Sequence, residues 1–223
     1  MIFSTKMAAA AFAVALLSST TMASAADNNY KVSIHPLNQS GVTGSGTLTL
    51  NGAGTQLTVT IDAKGFEPGQ VHVGHIHGLI VGSNEPANST VPSRQQDADH
   101  DHFVELAEGQ VTYGPILITL GTDNGGNLDP DGDGTVHYSQ TFNLEDPAIY
   151  GAGFDKMSVL GSGNALELRE IIVHGLTVPA GAGSGTAGEV NGTNGYLTVL
   201  PVGGGDIVGV TGDTLRFRVP PKQ

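Results

Sequence analysis

Short stretches in which apolar and polar residues alternate recur along most of the chain, separated by Gly, Asn and Asp. Lys31-Val32-Ser33-Ile34-His35 alternates, as do Thr47-Leu48-Thr49-Leu50 and Leu57-Thr58-Val59-Thr60-Ile61. Successive strand side chains point to opposite faces, so a period of two predicts strands with one buried face. By this reading strands cover 31–35, 44–50, 56–61, 71–77, 115–120, 135–142, 166–174, 196–200 and 214–219. Asn51-Gly52 marks a hairpin turn, which the following Ala53-Gly54 can lengthen, and Gly65-Phe66-Glu67-Pro68-Gly69 marks another. No repeat of fixed period is present, and helix is confined to a turn or two around 146–157. Short strands at near-regular spacing predict an all-β domain, a Greek-key antiparallel β-sandwich. Two stretches break the rhythm. Residues 80–110 are long, polar and rich in Asp and His, which makes them a functional loop or a disordered one. Residues 179–195 are rich in Gly and Ala and read as a flexible connection within the same domain.

Composition agrees with all-β. There are 33 glycines, no tryptophan and no long helix-forming run. The start of the chain sets the compartment. A positive charge at Lys6, an apolar run from Met7 to Leu17 and the small residues Ala23-Ser24-Ala25 form the pattern of a secretory signal. That run is too short to cross a bilayer, which takes roughly 20 residues. The expected layout is a signal peptide over 1–25 and one mature domain over 26–223, exported to a periplasm or beyond the cell, with no membrane anchor. The chain has no cysteine, so its fold must rest on its core, on bound metal, or on both. A net charge of −12 argues against nucleic acid as a partner, because phosphate binding draws on Lys and Arg. Part of that acidity is either a solubilising surface or a cation-binding cluster.

Candidate chemistry starts at Gly74-His75-Ile76-His77-Gly78. Residues i and i+2 of a strand share a face, so both imidazoles can reach one point, with glycines leaving room beside them. His174 ends another predicted strand and is again followed by Gly. Three histidines on two strand ends suit copper or zinc, since without cysteine any site must use imidazole, carboxylate and carbonyl ligands. His72 has the wrong parity to join His75 and is expected in packing or at the surface, and His35 has no partner that the sequence identifies.

Asp97, Asp99, Asp101, Glu105 and Glu108 stand at positions one, three, five, nine and twelve of a stretch with Phe103 at seven. A twelve-residue calcium loop draws its ligands from these positions. His102 stands at position six, where such loops carry glycine for a sharp turn. A second run, Asp129, Asp131 and Asp133 with Gly134, has the glycine but ends in Gln140 rather than an acid, so a weak calcium site and a simple turn are equal readings. His100 and His102, inside the first loop, either face solvent or turn toward His75 and His77 to extend the transition-metal site; His137 is a further candidate.

Gly65-Phe-Glu-Pro-Gly69 with His75-Ile-His77, and Leu168-Arg-Glu-Ile-Ile-Val-His174, resemble the ligand strands of Cu/Zn superoxide dismutase. The same His75-Ile-His77 segment, with Ser40 to Leu50 and Tyr113-Gly-Pro-Ile-Leu-Ile-Thr-Leu120, resembles the CHRD domain. The resemblance covers roughly 29–178. It implies a β-sandwich, copper at His75, His77 and His174, and one of His100 or His102 as a ligand shared between copper and zinc. The dismutases guide superoxide with an Arg near the chain end and carry a disulfide. Residues 192–197 here hold no Arg, and there is no cysteine. The expectation is therefore an exported metal-binding β-sandwich with a transition metal at the histidines and calcium in the acidic loop. A copper-dependent dismutase-like enzyme stands second, and a structural or adhesive module without metal third.

Overall fold

In the computed structural model, which describes residues 25–210 apart from 122–125, 130, 164 and 194, the cleanly alternating stretches over 31–35, 47–50 and 57–61 become strands. The strands are β1 (Asn28–Pro36), β2 (Thr43–Leu50), β3 (Gln56–Lys64), β4 (Gly74–His77), β5 (Ile80–Val81), β6 (Glu85–Pro86), β7 (Ile116–Leu120), β8 (Thr135–Asn143), β9 (Glu170–Val178), β10 (Gly195–Asp206) and β11 (Val208–Gly209). Two α-helices join them, α1 (Leu106–Tyr113) and α2 (Lys156–Leu160). The main sheet runs β7-β4-β9-β10-β1-β2-β3-β8 and is antiparallel, with β11 beside β1. It is curled, and β1 is where it turns. Residues 28–34 of β1 pair with β2, while His35 and Pro36 pair with Gly204 and Gly203 of β10. The result is the expected all-β, sandwich-like architecture.

Both halves send alternate side chains into one core. Val32, Ile34, Leu48, Leu57, Val59 and Ile61 come from one half, and Ile76, Ile118, Ile171, Val173 and Val202 from the other. Each is buried, and burial of such a side chain contributes roughly 1.5–3 kcal/mol before the entropy of ordering it. The outer faces differ. On β2, β3 and β8 the outer face is solvated and laced by hydroxyl pairs, Thr47 to Thr60 at 2.7 Å and Thr58 to Thr141 at 2.8 Å. On β9 the outward residues Glu170, Ile172 and His174 are as buried as the inward ones. Residues 79–114 supply much of this cover. Val91 lies with Ile172 against Gly204, and Ser89 Oγ donates to the Leu168 carbonyl at 2.6 Å.

One buried side chain fastens that cover. Arg169 is fully buried and donates to the carbonyls of Leu79 (3.1 Å), Ala87 (3.4 Å), Leu168 (3.4 Å), Val159 (3.3 Å) and Ser158. Burial pulls its pKa down to about 10, against the opposing effect of neighbouring Glu170.

Several expectations need correction. The acidic stretch contains a helix, α1, that periodicity did not reveal, because it is short and carries Gly109 and the β-branched Val111 and Thr112. Around 146–157 there is a 3₁₀ turn over Pro147–Ile149, and α2 starts only at Lys156. The strand expected over 166–174 opens as a 3₁₀ turn, Leu166–Leu168, and becomes β9 only from Glu170. β10 is far longer than 196–200. Its run Gly203-Gly204-Gly205 is strand because neighbours approach too closely for side chains: a Cβ on Gly203 would press on Ile34 and Val173. Asn51-Gly52 is lengthened as the sequence allowed, with Asn51 N–H reaching the Gln56 carbonyl at 3.0 Å. Residues 1–24 of the signal peptide expected over 1–25, and the strand expected over 214–219, lie outside the described residues. Among the described residues no helix is long and apolar enough to cross a membrane.

Candidate metal centre

β4 and β9 pair with His75 opposite Ile172 and Ile76 opposite Ile171. Ile76 and Ile171 join the core, so strand parity sends His75, His77, Ile172 and His174 to the covered outer face. One ring nitrogen of each of His75, His77 and His174 lies within 4.8 Å of the others. Ring centroids are 5.3 Å apart for His75 and His77, 5.2 Å for His75 and His174, and 5.9 Å for His77 and His174.

Backbone carbonyls set the tautomers. His77 Nδ1 faces the Gly114 carbonyl at 3.0 Å and His174 Nδ1 faces the Val199 carbonyl at 2.7 Å. A carbonyl oxygen only accepts, so each Nδ1 carries the proton and each Nε2 presents a lone pair. Those two Nε2 atoms, and Nδ1 of His75, are buried without a hydrogen-bond partner. Burial lowers the pKa of His75 to about 2, helped by His174 and His77. Burial likewise lowers His77 to about 3, with His174 adding to it, and His174 to about 4. The rings are therefore neutral, with lone pairs fixed at Nε2 of His77 and His174 and a partnerless Nδ1 on His75. A buried unmet acceptor costs about 1–3 kcal/mol, and a metal cation with affinity for nitrogen removes that cost at all three. The donor set fits copper or zinc. His75 alone of the three is partly exposed.

The glycines around His75 and His77 act differently from expectation. A Cβ on Gly74 would run into Leu128, and one on Gly78 would run into Arg169. They make room for packing neighbours rather than for the imidazoles. His72 is buried away from the trio, with Nε2 facing the Glu67 carbonyl at 2.9 Å, Nδ1 facing the His174 carbonyl and the Tyr196 hydroxyl at 3.2 Å each, and the ring packed on Phe66. His35 is exposed, and exposed His137 meets Asp62 at 2.8 Å. His100 and His102 are exposed on the acidic loop, outside the imidazole group.

That loop gathers three of its five expected ligands. Carboxylate oxygens of Asp97, Asp99 and Glu108 lie within 4.8 Å of one another. Asp97 accepts from the amides of Asp101 (3.1 Å) and His102 (3.1 Å), and Glu108 from those of Ala98 (2.6 Å) and Glu105 (3.0 Å). His100 and His102 take left-handed backbone, φ 64° and 78°, so the sharp turn that normally needs glycine is made with histidine. Asp101 and Glu105 turn elsewhere, toward the Gly/Ala-rich segment. Asp101 Oδ2 lies against Gly183, buried and without a hydrogen-bond partner. Glu105, only 3 % exposed, accepts from Val190 N–H. Burial raises the Glu105 carboxyl to about 7, the Val190 amide opposing and Glu189, Asp101 and Asp99 reinforcing the rise. Burial raises Asp101 too, and Asp99, Asp97 and Glu108 add to it.

The second acidic run behaves as a turn. Buried Asp129 accepts from Gly132 N–H (3.0 Å) and Gly134 N–H (2.8 Å), and exposed Asp133 accepts from Thr135 N–H (2.7 Å). Asp129, Asp131 and Asp133 are not brought together as a carboxylate group. Sequence reasoning missed Tyr113, whose ring packs on His77 at 4.6 Å, along with Gly114, Val199 and Glu189. The motif Tyr113-Gly114 before β7 was a usable signal for the first two; the others reach the site from distant sequence.

Comparison with known families gives a match to the model described as CHRD domain over residues 20–145. No curated protein matches the chain. The matched stretch contains β4, the acidic loop, α1 and β7, and ends before β9 and His174.

Proposed function

The chain belongs to the CHRD domain family, and on that premise we propose that it is an exported metal-binding protein. It holds a transition-metal ion, copper or zinc, at His75, His77 and His174, and a calcium ion in the loop from Asp97 to Glu108. CHRD domains are typically secreted modules, in keeping with the secretory signal read over 1–25. The observation that carries the histidine site is the set of three buried, unpartnered ring nitrogens within ligand reach of one another. Asp97, Asp99 and Glu108 support calcium, because oxygen ligands suit hard cations and the three carboxylates repel one another without one.

The test is to measure metals per chain by mass spectrometry on protein purified without a histidine tag, beside His77→Ala and His174→Ala. About one copper or zinc per wild-type chain, lost in both variants, is expected. No metal in wild type after exposure to either ion sinks the reading and leaves the structural or adhesive module.

The likeness of residues 65–77 and 168–174 to dismutase ligand strands supports a second reading, a copper-dependent dismutase-like oxidoreductase, although the ligand nitrogen of His75 is itself buried. The net charge of −12 works against an anionic substrate. Copper-loaded protein no more active than free copper, or activity untouched by His75→Ala and His174→Ala, removes it.

A further inference from the structure

Among the described residues β8 ends the main sheet, with β3 on one side and no strand on the other. The pairing fixes which backbone groups face the open side. Asn51 N–H reaches the Gln56 carbonyl, and Leu144 N–H reaches the Thr55 carbonyl. Gln56 therefore turns its backbone to β2, and Thr55 turns its own toward β8. Carried along both registers, this alternation bonds Val136, Tyr138, Gln140 and Phe142 to β3. It directs the N–H and C=O of His137, Ser139 and Thr141 at the open edge, where no described residue pairs with them. The two ends of the strand are already tied: Thr135 N–H donates to Asp133 at 2.7 Å, and the Asn143 carbonyl accepts from Asp146 N–H at 3.0 Å.

Edge strands of monomeric proteins are usually blunted by charged side chains, proline, a bulge or short length. β8 has none of these. Residues 135–143 include no Lys, Arg, Asp, Glu or Pro, and the register with β3 runs unbroken over 9 residues. His137, Ser139 and Thr141 are all exposed, and the His137 ring is turned to Asp62 on β3, at 2.8 Å. The open edge is also complementary to itself. Ser139 stands midway between His137 and Thr141, so a second copy turned by half a rotation offers the same donors and acceptors in reverse order. Antiparallel pairing about Ser139 sets each His137 opposite the other copy's Thr141 and the two Ser139 residues opposite one another. Every free N–H and C=O of the three residues then has a partner.

We propose that the open edge of β8 is a homodimer interface, in which two copies of this chain pair β8 to β8, antiparallel, about a two-fold axis at Ser139. The two sheets become continuous, and the contact is isologous, so assembly closes at two copies. Just beyond the paired residues, exposed Asp133 of each copy approaches exposed Glu145 of the other. Like charges thus meet at both ends of the contact, and added salt tightens the dimer by screening them. β4 and β9 lie toward the other end of the sheet, so the dimer forms whether or not either metal site is filled.

The mature, untagged chain is followed by sedimentation velocity over a concentration series at low and high salt. A reversible shift from monomer to dimer is expected, moving to lower protein concentration as salt rises. Ser139→Lys sets two cations face to face on the axis while lowering the net negative charge of the chain, so general repulsion falls. That variant should stay monomeric and melt as wild type does. Because the chain has no cysteine, Ser139→Cys reports the axis directly. The Cα atoms of a hydrogen-bonded antiparallel pair stand about 5.5 Å apart, within disulfide reach. Under mild oxidation Ser139→Cys should form a covalent dimer faster than Thr47→Cys, which is exposed on β2 away from the edge. A chain that stays monomeric throughout the series overturns the pairing. So does a dimer that survives Ser139→Lys, or one in which Ser139→Cys cross-links no faster than Thr47→Cys, because either result puts the contact on another surface.

Discussion

The histidine trio and the acidic loop solve opposite problems. The three imidazoles are neutral, are carried by paired strands and, at His77 and His174, are turned by backbone carbonyls, so their lone pairs converge without mutual repulsion. The three carboxylates are like charges on a loop, held by amide hydrogen bonds and half open to water. One site is preorganised and pays its cost as unmet acceptors; the other is strained by charge. Preorganisation favours affinity and selectivity, whereas relief of repulsion favours a response to occupancy.

The largest effect should come from breaking the preorganised side. His174→Ala should lower transition-metal affinity by at least about 100-fold, since even outer-sphere partners carry 10–100-fold. Competition titration checks this, and an unchanged calcium response in the same variant would keep the two sites separate in kind. Next comes the charged side. Calcium at about 100 times its dissociation constant adds roughly 2.7 kcal/mol, and each kcal/mol moves the melting temperature by about 2–4 °C for a domain of this size. A rise of about 5–10 °C is therefore expected in wild type and should vanish in Asp97→Asn and in Glu108→Gln. Equal melting with calcium and with chelator would end the calcium idea.

pH should sharpen the same contrast in the metal-free protein. The histidines have folded pKa values of about 2 to 4, below their unfolded value of 6.5, so their contribution is complete above pH 6.5 and is lost as pH falls below it. Glu105 runs the other way. Its folded pKa of about 7 exceeds the unfolded 4.5, so the stability it contributes is present below pH 4.5 and is lost as pH rises through 7. Glu105→Gln should thus gain stability over wild type at pH 8 and lose that advantage below about pH 4.5, as measured by urea unfolding at each pH. The smallest effect belongs to the turn. His102 has φ 78°, where a side chain costs roughly 1–2 kcal/mol, so His102→Gly should stabilise the loop by about 1 kcal/mol. A loss of stability would mean the imidazole makes a contact that offsets the strain.

The legible parts of the molecule are those where one face meets water. β1, β2, β3 and β8 alternate cleanly because their outer face is solvated. β9 is covered on both faces and β10 is glycine-rich, so neither carries a period of two, and their limits were misjudged. His75 and His77 followed from spacing alone, whereas His174 was found through an expected strand end although it sits in the middle of β9. The spacing of the acidic run placed Asp97, Asp99 and Glu108 together but misassigned Asp101 and Glu105, because a distant segment carrying Val190 and Glu189 draws Glu105 away. Long-range capture of that kind leaves no local trace. Nor does Arg169, which reads as an ordinary strand cation and is a buried bolt.

β1 belongs to both halves of the sheet, pairing with its sequence neighbour β2 along most of its length and with β10 only at His35 and Pro36. Local hairpins close quickly, and pairings between distant segments close slowly because the loop entropy is paid first. The β1–β10 and β4–β9 contacts are of the slow kind, and the second of them brings His174 to His75 and His77. The nascent chain therefore offers at most a two-histidine fragment until late in folding. Under the proposed reading of an exported metal-binding protein, metal capture becomes a checkpoint on the finished sheet, and the choice of ion passes to the compartment where folding ends.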